Sequence, residues 1–379
     1  MNVNPLTTRF LDSAIRERPD ADALRSTYIW PKLFPMRPVT EYELTWDVIR
    51  SANHIAGVYS MTGTPIPGND PTFYQQFANV LNMAASRKLD ESTVMTLREP
   101  DELALKSRVL ESKREKALRI LRDKIAACDD EIDATIEYLC TKALLGNIVW
   151  PPVDENGNQI SNPPSYWGNV SFQLDLGFRP EFKQNAATLV GLDSRPGAGK
   201  NWKDANADPI LDLEVVRELM TETLHYPTWG SLAIMSSSVL SWISTREKVI
   251  ERFAYTSIAE KFVDFKRFGD YLKNNLGLDI LIYDAVWTYE NIGAGEETEQ
   301  HIRFIPRNKV IIVPPFAMRE GNMFFATAPI SGPNDEYKTG KQTWSTKLNT
   351  PPWSWEVGVQ LKGFPIMKTS KDIFVLTVW

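Results

Sequence analysis

The chain has 379 residues, of which 43% are hydrophobic and 24% charged, so it can bury a sizeable core, divided between two domains. Its net charge of −6 argues against a protein whose whole surface binds nucleic acid. No run of about eighteen apolar residues could span a bilayer and the N-terminus lacks the order of a secretory signal, so we expect a cytoplasmic origin.

The two cysteines are expected to be inert packing residues. Cys128 and Cys140 lie in one predicted helix, and their spacing separates them by roughly 18 Å at the helical rise. A disulfide needs Cα atoms within about 7 Å of each other. They therefore cannot bridge each other, and two buried thiols fit a reducing compartment.

Residues 1–40 are predicted to form an extended N-terminal arm. Short apolar clusters such as 28–30 are separated by Pro31, Pro35 and Pro38, and proline removes backbone donors and favours extended chain. An arm of this kind cannot bury its apolar side chains against itself. They must dock either on the core of the same molecule or on a neighbouring subunit.

Residues 41–97 are predicted to form a long loop that leaves the body and returns to it. The tip at 61–71 (MTGTPIPGNDP) is rich in the glycine, proline and asparagine of turns. The alternative is a small α+β lobe with a helix in this region. The apolar face of that helix would consist of Phe73, Tyr74, Phe77, Val80 and Leu81.

One long helix is predicted from Pro100 to about Leu145. Its apolar residues recur at steps of three and four and form a single stripe. The stripe consists of Leu121, Ile125, Cys128, Ile132, Ile136, Leu139 and Ala143. Pro100 suits the first helical position and Gly146 suits the end. Unbroken, this helix would be about 68 Å long, and its stripe requires a broad surface beneath it.

The charges on this helix are segregated along its length. The acidic run consists of Asp129, Asp130, Glu131, Asp133 and Glu137, and the basic residues lie upstream, between Lys106 and Lys124. We expect the acidic run to be a solvated face rather than a pair of catalytic carboxylates. The basic half is expected to form salt links between subunits or to touch DNA weakly. Because isolated surface pairs are worth about 0 to 1 kcal/mol, we favour a role in register over one in affinity.

The rest of the chain predicts β structure, then a compact α/β unit, then a buried C-terminal strand. The predicted elements are a hairpin turn at 154–158, strands at 170–176, 231–235, 278–283 and 302–306, a hairpin around 291–297, and helices at 213–224, 238–253 and 257–276. The closing strand at 373–379 is apolar and must be buried. We expect it to pair in the sheet beneath the long helix, which would leave the second domain inserted in the first.

The segment RPGAGKNW at 195–202 resembles a phosphate-binding loop but fails on spacing. Ser194 stands where the pattern needs a glycine, and Asn201 stands where it needs serine or threonine. We expect a mobile surface loop here.

A second motif resembles the opening of a calcium-binding loop. Asp204, Asn206 and Asp208 alternate as oxygen ligands would, but Pro209 occupies the position that requires glycine. A helix-capping turn before Leu211 is the preferred interpretation.

The histidines offer no metal or catalytic pattern. His54, His225 and His301 are isolated in sequence from one another and from both cysteines. We therefore predict no catalytic residue, no cofactor-binding residue, no metal ligand and no enzymatic activity.

Six segments carry a further signal through their order along the chain. They are SRKLDESTVMTLREPDE (86–102), LCTKALLGNIVW (139–150), NWKDANADPILDLEVV (201–216), LGLDILIYDAVWTYE (276–290), FIPRNKVIIVPP (304–315) and FPIMKTSKDIFVLTVW (364–379). In this order they resemble the tailed-phage major capsid protein family typified by the phage lambda head protein, major capsid protein E. The resemblance covers about residues 40–379.

The resemblance implies an α+β fold of the type first described for the Hong Kong phage capsid. In that fold the chain would divide into an N-terminal arm (1–40), an extended loop (41–97), a peripheral domain with a long spine helix on a β-sheet (98–203), an inserted α/β axial domain (204–328) and a return to the peripheral domain (329–379). The long insert at 332–355 departs from a minimal family member, which leaves open where a decoration protein would dock.

The resemblance also implies a function and partners. The chain would be a major capsid protein that assembles as hexamers and pentamers into the icosahedral head shell of a bacteriophage. It would be assembled in the host cytoplasm, reside in the virion capsid and need no cofactor. Its partners would be further copies of itself, scaffolding proteins, a portal, decoration proteins where present, and packaged double-stranded DNA without sequence specificity; no membrane is expected.

Apolar residues of the arm and the loop are the candidates for contacts between subunits. They are Trp30, Phe34, Tyr59, Ile66, Phe73, Tyr74 and Phe77. Three alternatives to a phage shell stay open at this point. One is a cytosolic α/β enzyme with its site near the glycine-rich loop at 191–199, another is a glycan-binding module using the aromatic C-terminal region, and the third is a bacterial compartment shell of the same fold.

Overall fold

The computed structural model describes residues 25–49, 73–90, 113–160, 164, 167, 170–191, 196–253, 263–293, 296–331, 337–348 and 354–379. The helices are α1 (Trp30–Leu33), α2 (Lys113–Leu144), α3 (Pro209–Leu224), α4 (Ser237–Ser244), α5 (Glu247–Phe253), α6 (Phe265–Tyr271) and α7 (Phe316–Arg319). The strands are β1 (Met36–Pro38), β2 (Glu43–Ile49), β3 (Phe73–Asn79), β4 (Leu81–Asp90), β5 (Asn147–Trp150), β6 (Phe172–Asp175), β7 (Lys183–Asn185), β8 (Ser231–Met235), β9 (Leu278–Ile282), β10 (Val286–Gly293), β11 (Glu296–Arg303), β12 (Lys309–Val313), β13 (Met323–Thr327), β14 (Pro329–Ser331), β15 (Tyr337–Thr339), β16 (Gln342–Leu348), β17 (Ser354–Met367) and β18 (Phe374–Thr377). The predicted α+β class is confirmed.

The chain divides into two compact units, each made of three pieces of chain. Unit 1 consists of Met1–Leu44, Ala78–Leu139 and Phe325–Pro365. Unit 2 consists of Thr45–Phe77, Cys140–Phe324 and Ile366–Trp379. Both units are therefore held together by contacts between residues that are far apart in sequence.

The sheet of unit 1 is built around the long strand β17. Strand β4 pairs antiparallel with one edge of β17, with Ser354 opposite Asp90 at one end and Gly363 opposite Leu81 at the other. Strands β16 and β13 also pair with β17, and β1 adds to β13 in parallel. Gly358 is required within β17, because a Cβ there would lie 2.5 Å from the carbonyl oxygen of Ala85.

The long helix α2 buries the predicted apolar stripe. Leu121, Ile125 and Ile132 are all at most 2% exposed. The helix ends at Leu144, where Gly146 adopts a positive φ of 86° and donates its N–H to Ala143. The predicted end of the helix is therefore confirmed, whereas its predicted beginning at Pro100 lies outside the described residues.

Both cysteines are buried and free, as predicted. Burial raises the pKa of the Cys128 thiol to about 11, so it stays protonated at neutral pH. Within unit 2, a hairpin turn forms at the predicted place, because the Asp154 carboxylate accepts the N–H groups of Asn156 and Asn158.

Unit 2 contains a five-stranded sheet in the order β7-β18-β12-β8-β9. Helix α3 starts at Pro209, four residues before the predicted start, and the Asp208 side chain caps it by accepting the N–H of Leu211. The preferred capping interpretation of this segment is thus confirmed. The single helix predicted at 238–253 is two helices, α4 and α5, which are separated at Thr245 and Arg246.

Two further predictions for unit 2 need correction. The helix predicted at 257–276 is, within the described residues, α6 followed by one π-helical turn at Leu272–Leu276. The closing strand β18 pairs with β12 and β7 in the unit 2 sheet, so the expected pairing in the sheet beneath the long helix is wrong. Its apolar sequence requires burial but does not specify which sheet provides it.

The glycine-rich loop is bound to the α/β core in its described part, 196–202. The N–H of Gly197 donates to the carbonyl oxygen of Leu189 at 2.9 Å. The carboxylate of Asp212, on α3, accepts the N–H of Ala198 at 2.6 Å and the indole N–H of Trp202 at 2.7 Å. The Asp212 carboxylate therefore already accepts the Ala198 N–H that a bound phosphate would need.

Asp212 should make stability depend on pH. Burial raises the pKa of its carboxyl from 3.8 to about 6, against the two hydrogen bonds, which lower it. The folded chain thus holds a proton between about pH 4 and 6 that the unfolded chain has released, and this stabilisation is lost as the pH rises through about 6.

We expect the free energy of unfolding, relative to that of Asp212→Asn, to fall by on the order of 2 to 3 kcal/mol from pH 4 to pH 7. Urea titrations of both proteins, followed by tryptophan fluorescence, measure this difference. A difference that does not change with pH would contradict the assignment.

Candidate assembly site on the arm and the long helix

An acidic row on α2 faces the inside of unit 1. Asp129, Asp133 and Glu137 follow one another at intervals of four, which places them on the same side of the helix, in line with Ile125. They are at most 1% exposed. The prediction that this run forms a solvated face is therefore wrong for these three residues.

Two cations from distant parts of the chain neutralise the first two carboxylates. Arg25 donates to Asp129 at 2.5 Å and to Asp133 at 2.7 Å. The ammonium of Lys341 lies 2.6 Å from a second oxygen of each carboxylate. We call these four residues, Arg25, Asp129, Asp133 and Lys341, the charge cluster. Because two negative and two positive charges are buried together, none of them is left without a counter-ion.

The third carboxylate of the row holds the beginning of α1. The two oxygens of Glu137 accept the N–H of Ile29 at 2.8 Å and the N–H of Trp30 at 2.9 Å. No side chain adjacent to α1 caps this short helix, so a residue more than a hundred positions away supplies the acceptor. The segment from Arg25 to Phe34 is thus fixed to α2 by charge and by backbone hydrogen bonds.

Apolar contacts complete the attachment of this segment. Tyr28, Ile29, Leu33 and Phe34 are buried by their own chain. Burial and then the carboxylates of Glu137 and Asp133 raise the pKa of Tyr28 well above its ordinary value of 10, so its hydroxyl stays protonated. The arm was expected to dock either on its own molecule or on a neighbouring subunit. These four residues dock on their own molecule.

Strands β2 and β3 form a two-stranded ribbon at the base of the predicted loop. Along β2, burial alternates, with Trp46 and Val48 buried and Thr45 and Asp47 exposed. The alternative of a helix across this region is wrong, because Phe73–Asn79 is a strand. The side chain of Phe77 is 79% exposed, although phenylalanine is strongly apolar.

The structure describes the side chains of three of the seven predicted interface residues. Phe77 is exposed and Trp30 is half-buried. Phe34 is fully buried by its own chain, and Phe73 and Tyr74 lie in β3 with side chains outside the description. Tyr59 and Ile66, together with the loop tip, lie outside the described residues.

Sequence reasoning missed the charge cluster. One signal was present, because Asp129, Asp133 and Glu137 continue the row of the buried Ile125 at intervals of four. The cationic partners, Arg25 and Lys341, carry no such local signal.

Within its described ranges, the chain shows neither a metal-binding cluster nor a membrane-spanning helix. No group of three or more histidine, cysteine, aspartate or glutamate side chains there could hold a metal ion. Among the helices of the same ranges, none combines the length and apolar character that crossing a membrane requires.

Removing one carboxylate of the charge cluster should loosen the arm. Asp133→Asn leaves Arg25 and Lys341 with an unbalanced buried charge, so we expect it to lower the free energy of unfolding by about 3 kcal/mol. Trypsin should then cleave faster at the exposed Lys32. Urea titration and timed digestion provide the two measurements.

Glu131→Gln is the matched control on the same helix. Glu131 pairs with Arg87 at the surface, where the two side chains are 42% and 44% exposed. Its loss should cost less than about 1 kcal/mol and leave the cleavage rate unchanged. Equal effects of the two substitutions would show that the charge cluster does not hold the arm.

Comparison with known proteins gives a family match and a fold match. Residues 7–172 match the family model of phage major capsid protein E. No curated protein matches the chain in sequence. The structure resembles a prophage protein of Escherichia coli CFT073 assigned as a capsid protein, with 14% identity, a TM-score of 0.58 and coverage of 99% of both chains.

Two more solved structures align over nearly the whole chain with lower scores. A phage-related protein of Bordetella bronchiseptica RB50 has 15% identity, a TM-score of 0.43 and coverage of 97% of this chain and 96% of its own. A virus-like particle from Pyrococcus furiosus has 11% identity, a TM-score of 0.42 and coverage of 97% of each chain. The fold assignment rests on the E. coli prophage protein.

The expected fold of the Hong Kong phage type is thereby confirmed, and no comparison supports the α/β enzyme alternative. The similarity to the phage major capsid protein E family is thus limited to residues 7–172, less than half of the chain, whereas the likeness in fold extends over 99% of it.

Proposed function

We propose that copies of this chain assemble as hexamers and pentamers into an icosahedral head shell that encloses double-stranded phage DNA. The observation that carries this proposal is the family match over residues 7–172, which coincides with a fold that aligns over 99% of the chain. A place in the virion capsid is part of the proposal and is supported by the family match over residues 7–172. Assembly in the host cytoplasm is part of the proposal.

The contacts between subunits are proposed to include the exposed face of the β2–β3 ribbon. Phe77, 79% exposed, stands on a two-stranded ribbon, and such a ribbon gains stability when a further surface covers it. Burying one phenylalanine contributes roughly 1.5 to 3 kcal/mol. Because every subunit of a shell would bury this side chain, even this small free energy favours assembly. Trp30, Tyr59, Ile66, Phe73 and Tyr74 remain proposed contacts, whereas Phe34 is withdrawn because its own chain buries it.

The proposed partners beyond further copies are scaffolding proteins, a portal, decoration proteins where present, and DNA. The charge of the chain supports a container rather than a DNA-binding protein. With a net charge of −6, the average subunit repels the phosphate backbone, so packed DNA can be stored and released without adhering to the wall.

The five-part division stays a proposal, although the two compact units also divide the loop, between Phe77 and Ala78, and the peripheral domain, between Leu139 and Cys140. We retain the arm (1–40), loop (41–97), peripheral domain (98–203) and axial domain (204–328). The last segment is divided, since Phe325–Pro365 belongs to unit 1 and Ile366–Trp379 to unit 2. The strand β18 accordingly belongs with the α/β core.

A purely structural role, without catalysis, is the last part of the proposal. The enzyme alternative placed its site at the glycine-rich loop. There the amide of Ala198 is already bound by the carboxylate of Asp212, which would repel a phosphate. Lys200→Ala should therefore leave particle yield and particle contents unchanged.

Electron microscopy of the purified protein, expressed with its scaffolding protein, tests the function. We expect closed icosahedral particles, and in infected cells particles that protect double-stranded DNA from nuclease. A protein that stays monomeric at high concentration and forms no particles would overturn the proposal. Particles that protect a protein cargo and no DNA would instead support the compartment-shell alternative.

The role of Phe77 can be tested within the same assay. We expect Phe77→Ser to fold normally by circular dichroism and to reduce shell yield several-fold, because the exposed ring contributes to every contact. Tyr337→Ser is the control, since Tyr337 is 71% exposed and was not a predicted contact. Normal yield from Phe77→Ser would remove this residue from the proposed interface.

A further inference from the structure

Strand β4 lies at an edge of the unit 1 sheet. It pairs with β17 along its whole length, from Leu81 to Asp90, and among the described residues no strand pairs with its other side. Its exposed residues include the small Ala84 and Ser86 near the middle of the strand, so another backbone can approach closely there. An edge of this length presents a row of N–H and C=O groups that a strand of another chain can bind.

The even-numbered residues of β4 direct their backbone groups to this outer edge. The carbonyl oxygen of Ala85 faces β17, because a Cβ on Gly358 would lie 2.5 Å from it. In an antiparallel pair, successive residues alternate between bonding to the partner strand and facing away from it, so Ser86 faces outward. Val80, which follows the same alternation, donates its N–H to the carbonyl oxygen of Tyr42 at 2.9 Å. The beginning of the outer edge is therefore occupied within the molecule.

Two cations occupy carbonyl groups towards the other end of the edge. The guanidinium of Arg87 donates to the carbonyl oxygen of Ser86 at 3.2 Å, and the ammonium of Lys124, on α2, donates to the carbonyl oxygen of Lys88. The Arg87 guanidinium also pairs with Glu131 on α2, which fixes its direction. We call Arg87 and Lys124 the edge guard. Hydrogen bonds from charged donors are stronger than those that the N–H groups of an incoming strand would form.

The strand that suits this edge is β4 of a second copy, because the sequence of β4 is complementary to itself in one antiparallel register. A two-fold axis at Ala85 places Ala84 of one copy opposite Ser86 of the other, and Asn82 opposite Lys88. All four residues face outward, so each pair would exchange backbone hydrogen bonds. Neither kind of pair brings like charges together. In every pair, however, the carbonyl of one member is already bound by the edge guard.

We propose that the edge guard is an autoinhibitory contact that keeps β4 of one copy from pairing with β4 of a second copy. A two-fold pairing of this kind is closed, so it would join two copies into a dimer and leave no free edge for a third. The guard removes acceptors from every pair of that register and thereby disfavours the dimer. This inference goes beyond the proposed shell function, since it names a surface through which copies are prevented from joining.

A disulfide placed in this register tests the proposal. One population carries Ala84→Cys, a second carries Ser86→Cys, and both carry Arg87→Met with Lys124→Met. Directly opposite residues of a hydrogen-bonded antiparallel pair have Cα atoms about 5.5 Å apart, which a disulfide can span. The two native cysteines are buried. After the populations are mixed and oxidised, we expect on the order of ten-fold more disulfide-linked dimer on a non-reducing gel than with the edge guard intact.

Two controls separate the guard from a general effect of charge. Lys124→Arg retains a cationic donor at the edge and should keep the dimer yield low. Lys248→Met with Lys266→Met removes the same charge from exposed positions of unit 2 and should also keep it low. Equal dimer yields with and without the edge guard, or no dimer in its absence, would overturn the inference. If circular dichroism shows that the double methionine variant does not fold, Lys124→Met alone decides in the same assay.

The two proposals can fail separately, because the disulfide assay detects pairs of copies and needs no shell. If the wild type builds shells and the unguarded populations do not cross-link, only the edge-guard inference fails. If the unguarded populations cross-link and the wild type builds no shell, only the shell proposal fails.

Discussion

The buried charge cluster is the constraint on which unit 1 depends. It takes one cation from the first piece of the chain, Arg25, both carboxylates from the second, Asp129 and Asp133, and one cation from the third, Lys341. Each carboxylate is at most 2% exposed in its side chain. If any piece moves away, a charge stays buried without a counter-ion, at a cost of several kcal/mol. The three pieces are therefore held together as a set.

Such a cluster contributes more to register than to stability. A buried ion pair roughly offsets its own desolvation, whereas a misplaced partner leaves the full penalty. Apolar side chains such as Ile29 and Leu33 supply the favourable burial of the arm but accept many positions along a helix. Glu137 removes that freedom, because its two oxygens bind two successive N–H groups. The arm consequently leaves α2 at one defined place.

The sequence predicted what is determined locally. The apolar stripe of α2, the end of that helix at Gly146, the cap of α3 by Asp208 and the inert cysteines follow from periodicity, capping chemistry and helical rise. The buried acidic row was missed because its partners lie 104 and more residues away in sequence. For β18 the apolar pattern required burial, yet a choice between two sheets depends on long-range pairing that no local pattern encodes.

The glycine-rich loop binds a carboxylate of its own chain in place of an external anion. Its amides and lysine suit an anion, and the anion that binds there is the carboxylate of Asp212, which Trp202 also holds. The loop thus uses phosphate-like chemistry to fix itself to the α/β core. The same principle operates at the arm, where Glu137 binds the N–H groups of a helix start. In both places a carboxylate of the chain satisfies backbone N–H groups that another protein would offer to a ligand.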